Sequence, residues 1–119
     1  TSRGFRDLKV YRLALTGHGD FSLIKPFSKR GKFSLTDQIR RASRSGASNI
    51  GEGYRKKRYP KMFVSKMADA DGEATETQVW LEFAECCGYV SKKRESELRM
   101  GYEEVGRMLG GMIAHPERF

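Results

Sequence analysis

The sequence predicts an all-α chain folded as an antiparallel up-and-down four-helix bundle, and three observations carry that expectation. Phe63, Met67, Ala70, Ala74, Thr77, Leu81 and Ala84 repeat at alternating spacings of four and three, a heptad seam that keeps one helix face. Leu35, Ile39, Ala42, Gly46, Ile50 and Gly53 keep a second such face. Pro60, Gly88 and Pro116 punctuate the periodic segments, and no alternating strand pattern or internal repeat opposes the bundle.

A chain of 119 residues reads as a single domain, 1–119, with helices over about 7–24, 35–57, 60–87 and 91–113. Folding alone at this size buries about 65% of the unfolded surface, so association would add stability.

The first helix rests on Val10, Ala14, Phe21 and Ile24, widened by Leu8, Tyr11 and Leu15, with Asp7 suited to the positive end of the helix dipole. Gly17 and Gly19 predict a break or a frayed turn between Thr16 and Asp20. Pro26 ends the helix and FSKRGKF reads as a basic loop. Ser34 is the expected cap of the second helix, with Asp37 as a shortened capping-box partner. Pro60 suits the first position of the third and longest helix, about 40 Å at 1.5 Å per residue. Gly88 is placed to stop it and Ser91 to cap the fourth helix. That helix carries Leu98, Tyr102, Val105, Leu109 and Met112, broadened by Met108 and Ile113, and loosens at Gly110 and Gly111 before Pro116.

Charge is divided unevenly. Residues 1–66 hold 17 Lys/Arg against 4 Asp/Glu, and residues 67–119 hold 6 against 11, for a net charge of +8. The excess concentrates in LTDQIRRASRSGASNIGEGYRKKR, residues 35–58. If that helix runs unbroken to Arg58, then Arg40, Arg44, Arg55 and Arg58 fall within about 60° of one another opposite the apolar stripe. With Lys56 and Lys57 they form the candidate nucleic-acid-binding surface, meeting RNA or DNA through phosphates. A solvated helix back gives the same pattern, as does a basic half pairing with a neighbouring copy's acidic half. No exposed aromatic ladder suggests base stacking, so weak sequence specificity is expected.

On the third helix a second strip contains Met62, Asp69, Glu73, Trp80 and Cys87, with Glu76 and Phe83 beside it. Trp80, Phe83, Glu73 and Glu76 are the candidate oligomer interface, because an isolated bundle helix has no need of aromatic residues outside its seam. The alternative is that Trp80 widens the intramolecular core. Asn49 and Glu52 are candidates for a buried polar network fixing helix register.

The strings FRDLKVYRLAL, LTDQIRRAS, SNIGEGY and the ETQ of Glu76 to Gln78 followed by CGYVS resemble, in that order, the small four-helix-bundle proteins encoded within intervening sequences of 23S ribosomal RNA genes. The resemblance spans nearly the whole chain. It implies a bundle assembled as a ring-like homopentamer, with suspected nucleic-acid contact. The chain departs from the family pattern at Gly46 and Ala47, where Ile-Pro is usual, and at Gly51, where Ala is usual. A proline kink is therefore not expected. A related branch, the accessory proteins of diversity-generating retroelements, binds nucleic acid and a reverse transcriptase, which makes a nucleic-acid enzyme a candidate partner.

Catalytic chemistry is not expected. His18 and His115 lack companions at metal-ligand spacing, so no metal site and no cofactor are read. The adjacent Cys86 and Cys87 cannot bridge well, and read as reduced small hydrophobes in a cytoplasmic protein. GEGYRKK lacks phosphate-loop spacing. Asp69, Asp71, Glu73, Glu76, Glu82 and Glu85 lack the Glu-x-x-His pairs of di-metal bundles. There is no run of 18 apolar residues and no signal-peptide pattern at Thr1 to Phe5, so no membrane association is expected. Two functional classes remain: a nucleic-acid-binding module, and a scaffold ring whose basic and acidic faces pair between subunits.

Overall fold

The computed structural model describes residues 4–22 and 30–119, and the side chains of 18–22 and 30–34 lie outside that description. Among the described residues there are four α-helices and no strand: α1 (Lys9–Ser22), α2 (Arg30–Arg55), α3 (Pro60–Cys86) and α4 (Lys92–Ala114). Short 3-10 turns at Gly4–Asp7 and Pro116–Arg118 flank them. No helix is long and apolar enough to cross a membrane among the described residues.

Each helix packs on its neighbour in sequence and α1 closes on α4, while among the described residues the backbones of the diagonal pairs do not approach one another. Gly46 lies against Ala70 and Glu73 while Gly53 lies against Lys66 and Met67, so α2 and α3 run in opposite directions. Phe5, ahead of α1, meets Gly51 near the end of α2. The C-terminal 3-10 turn packs on α3 and α4 beside Pro60. The start of α1, the end of α2, the start of α3 and the end of α4 therefore share one end of an antiparallel bundle measuring 46 × 24 × 21 Å.

The seam expected on α3 is buried at all seven positions, Phe63, Met67, Ala70, Ala74, Thr77, Leu81 and Ala84. Pro60 opens this helix and Gly88 closes it in the left-handed conformation, φ +75°. The N–H of Gly88 donates to the Glu85 carbonyl at 2.9 Å and that of Tyr89 to Ala84 at 2.8 Å, the paired bonds of a Schellman stop. Ser91 caps α4, its Oγ accepting the Arg94 N–H at 3.0 Å. The α4 seam of Leu98, Tyr102, Val105, Leu109 and Met112 is buried and is extended one turn back by Glu95, whose carboxylate accepts Arg99 Nε at 3.0 Å.

Several expectations are corrected. α2 starts at Arg30, so Ser34 lies inside the helix rather than at its cap, and the expected basic loop loses residues 30–33 to helix. α2 also ends at Arg55, leaving Lys56, Lys57 and Arg58 in a turn. The reason lies downstream: Tyr59 is held extended (φ −119°, ψ 87°), as a residue preceding proline is. α1 passes unbroken through Gly17, where a Cβ would stand 2.8 Å from Tyr102 Oη; the glycine admits that ring instead of loosening the helix. α4 likewise continues through Gly110 and Gly111 to Ala114. The side chains of His18 and Phe21, and all of Ile24 and Pro26, lie outside the described residues.

α2 is continuous at Gly46 and Ala47, without a kink, and it buries two stripes. One is the expected Ile39, Ala42, Gly46, Ile50, Gly53. The other, Thr36, Ser43, Ala47 and Gly51, consists of small side chains, and its Ala47 and Gly51 lie beside the N-terminal 3-10 turn and α1.

Candidate functional site

Among the described residues, the densest cationic surface lies at the shared end of the bundle. Arg55, Lys56, Lys57 and Arg58 are all exposed there. Arg55, Lys57 and Arg58 line a hollow with Gly4, Phe5, Arg6 and Tyr54. Lys57 and Arg58 line a second with Pro60, Pro116, Glu117 and Phe119. The turn is locally stiffened: Lys56 N–H donates to Gly53 O at 2.9 Å, Tyr59 N–H donates to Lys56 O at 2.8 Å, and Lys57 Nζ sits 4.5 Å above the Tyr54 ring centroid while donating to its hydroxyl at 3.2 Å. Among the described residues no carboxylate forms an ion pair with any of these four cations.

The other two arginines of the expected set are placed differently. Arg44 is exposed, but Arg40 is half-buried. The small-residue stripe brings the buried sector of α2 round to Arg40, so this side chain is not opposite the core. Arg40 and Arg55 also stand about 22 Å apart along the helix. The six cations thus divide into a tight cluster at 55–58, Arg44 part-way along α2, and Arg40 at the packed edge.

Arg44 and Arg55 border an open groove of about 420 Å³ between the N-terminal 3-10 turn, α1 and α2. Phe5, Tyr11, Leu15, Ala47 and Gly51 supply its apolar walls, and Ser48 and Glu52 complete the rim. Phe5 and Tyr11 meet edge to face with centroids 5.1 Å apart. The Arg6 guanidinium lies 4.6 Å over the Phe5 ring. Leu15, expected in the core, is 49% exposed at this groove. The aromatic wall was missed in the sequence because Phe5 lies ahead of the first helix and only the packing of the 3-10 turn on α2 brings it to Gly51.

On α3, Trp80 is half-buried against the core, and its Nε1–H donates to Glu76 Oε1 at 3.1 Å. Phe83 tilts against it at 5.8 Å and remains 54% exposed, with Val79 41% exposed nearby. Trp80 therefore does widen the intramolecular core, and Phe83 is the more open side chain of the candidate interface. Glu73 is half-buried; its burial, then the charges of Glu76 and Asp69, hold its carboxyl above the usual range.

Asn49 and Glu52 do not share a network. Asn49 Nδ2 donates to Ser45 O at 3.0 Å and to Ser45 Oγ at 3.3 Å. Glu52 is exposed, accepts from Ser48 Oγ, and pairs across to Lys66 Nζ on α3 at 3.0 Å. That hydrogen bond and charge from Lys66 hold its carboxyl below the usual range. Cys86 and Cys87 are free and exposed, not packed as small hydrophobes. Among the described residues no group of three or more His, Cys, Asp or Glu side chains is gathered for a metal.

No curated protein is significantly similar in sequence. Among solved structures the chain is similar to a crystal structure of a protein of unknown function from the S23 ribosomal protein family of Bacteroides thetaiotaomicron. The two share 25% identity at a TM-score of 0.79, over 87% of this chain and 97% of that one. The model of the 23S rRNA-intervening sequence protein family matches residues 6–111. That span takes in all four helices nearly to the end of α4, and the chain belongs to the 23S rRNA-intervening sequence protein family.

Proposed function

We propose that this chain is a non-enzymatic, cytoplasmic nucleic-acid-binding module that holds the phosphate backbone of RNA or DNA at the basic end of its bundle. The observation that carries the reading is the exposure of Arg55, Lys56, Lys57 and Arg58 on a hydrogen-bonded turn, where no carboxylate among the described residues stands within ion-pair distance and the charge of Glu52 acts on Lys56 at longer range. Cations so placed lose little on meeting a polyanion and release its counterions. Arg44 extends the surface along α2, and Arg40 belongs to the packing instead. Assembly as a homopentamer, the state implied by the family resemblance, would repeat the basic end and multiply weak contacts. A nucleic-acid enzyme would then be a natural partner on the same strand.

The test is a titration of duplex DNA at two salt concentrations. Each neutralised phosphate contributes about −0.9 to the slope of log K against log salt, so Lys56→Ala with Arg58→Ala should flatten that slope by up to about two and weaken all sequences alike. An absence of binding at low salt by the intact protein would sink the reading.

A second reading is favoured by the exposed Phe83 and Val79 beside Glu76 and the half-buried Glu73. In it the chain is a scaffold ring in which this strip receives a neighbouring copy's basic end. Light scattering on gel-filtered Phe83→Asp should then show dissociation. An oligomer unchanged by that substitution removes the strip from the interface.

A further inference from the structure

The groove bordered by Arg44 and Arg55 combines an aromatic wall with two guanidinium groups that no acid pairs among the described residues. We propose that it receives one unpaired nucleobase of a single strand whose phosphates meet Arg44 and Arg55. The proposal rests on the phosphate-binding reading and adds to it a preference for unpaired bases.

Four features support it. The groove is about 420 Å³, within the range of small-molecule sites and open enough for a flat ring to enter from solvent. Its walls are Phe5, Tyr11, Leu15, Ala47 and Gly51, which suit the face of a base and offer nothing to a hydrated ion. Gly51 makes the site: a Cβ there would stand 3.3 Å from the Phe5 ring, so the bare backbone lets Phe5 settle on α2 and wall the groove. Arg44 and Arg55 lie about 16 Å apart along the helix and both line the groove, so a strand lying along it can meet both. Glu52 on the rim is the one acid among the described residues that line the site, and Lys66 pairs with it at 3.0 Å. A base stacked in a duplex cannot reach the groove, so discrimination between paired and unpaired strands follows from the geometry.

The experiment compares three labelled ligands at low salt by fluorescence anisotropy. They are a single strand of about ten nucleotides, within the site sizes of single-strand binders, the same strand made abasic, and a duplex. The abasic strand keeps every phosphate. Intact protein should prefer the base-bearing strand over the abasic one by about 5- to 100-fold, the range that base–aromatic stacking gives. Tyr11→Leu, which removes the ring and keeps its apolar bulk, should erase that preference and leave duplex affinity unchanged. Ser48→Leu fills the groove from an exposed position, should act the same way, and serves if Tyr11→Leu fails to fold.

Equal affinity for base-bearing and abasic strands, with duplex binding retained, overturns the inference alone and assigns the groove to an apolar peptide. A preference that survives both variants puts the base elsewhere and overturns it too. A free mononucleotide bound as tightly as the strand overturns the strand as its source. Absence of binding to all three ligands overturns both this inference and the phosphate-binding reading.

Discussion

α2 meets its two neighbours with different materials. Toward α3 and the bundle centre it offers Ile39 and Ile50, with Gly46 and Gly53 letting the helices approach; Ile50 is fully buried. Toward the N-terminal 3-10 turn and α1 it offers the small Ala47 and Gly51, and there the packing opens into a groove. Apolar area sets the strength of a helix contact, so the first interface holds the bundle and the second leaves room for a ligand. On the proposed reading, stability and binding would be carried by two sides of one helix, with the exposed Arg44 and Arg55 on the side of the groove.

The largest effect that sharpens this contrast is expected at Ile50. Ile50→Ala leaves a cavity where the side chain has no solvent contact, and should cost about 2–5 kcal/mol by denaturant unfolding. A change below about 0.5 kcal/mol would mean that this side of α2 does not hold the fold.

A smaller and more selective comparison uses two glycines. A Cβ at Gly53 would stand 2.8 Å from both Lys66 Cβ and Met67 Cε, and Lys66 Cβ is fixed to the α3 backbone. Gly53→Ala should force the helices apart at a cost of about 1–3 kcal/mol. At Gly51 the nearest atoms are 3.3 Å away on the Phe5 ring, which belongs to a short 3-10 turn and has room to shift. Gly51→Ala gains about 1 kcal/mol of helix propensity against that contact, and should fall within about 1 kcal/mol of the intact protein. Equal losses at both sites would make the two sides of α2 equally rigid and leave the groove no freedom to admit a base.

The same contrast explains what could be read from the sequence. The α4 seam was legible because large apolar side chains repeat at heptad spacing, the α3 seam because Phe63, Met67 and Leu81 set a heptad register that Ala70, Ala74, Thr77 and Ala84 keep, and Pro60, Gly88 and Ser91 because cap chemistry is local. The small-residue stripe of α2 was not, since Thr36, Ser43, Ala47 and Gly51 carry little hydropathy and are buried by what packs on them. Arg40 was misplaced for that reason. The early start of α2 was hidden by the basic run RGK, which has no apolar period, and Glu95 was missed because an acid stood at a seam position. Of the candidate site, the charge density at Arg55 to Arg58 could be read directly. The aromatic wall could not, because it depends on Phe5 reaching Gly51 across the bundle end.

The smallest effects concern two glutamates whose environments differ in sign. Glu52 has its carboxyl lowered from 4.5 by the Lys66 hydrogen bond and charge, so its contribution to stability is present above its unfolded value and is lost as pH falls through the folded one. Glu73 has its carboxyl raised from 4.5 by burial, Glu76 and Asp69, so the fold favours its protonated form, and that advantage is lost as pH rises through the folded value. Glu52→Gln should therefore lower the denaturant midpoint at pH 7, and Glu73→Gln should raise it. The Glu73 difference should vanish as pH falls below the ordinary carboxylate range, and the Glu52 difference only at lower pH, once its lowered folded value has been passed. The Glu73 result also separates the two functional readings. A gain at pH 7 leaves Glu73 facing only its own acidic neighbours, with the basic turn open to phosphate. A loss at pH 7 would mean that a cation from a second copy neutralises Glu73 in the assembly, which would move Arg55 to Arg58 into the subunit contact and put the scaffold ring ahead.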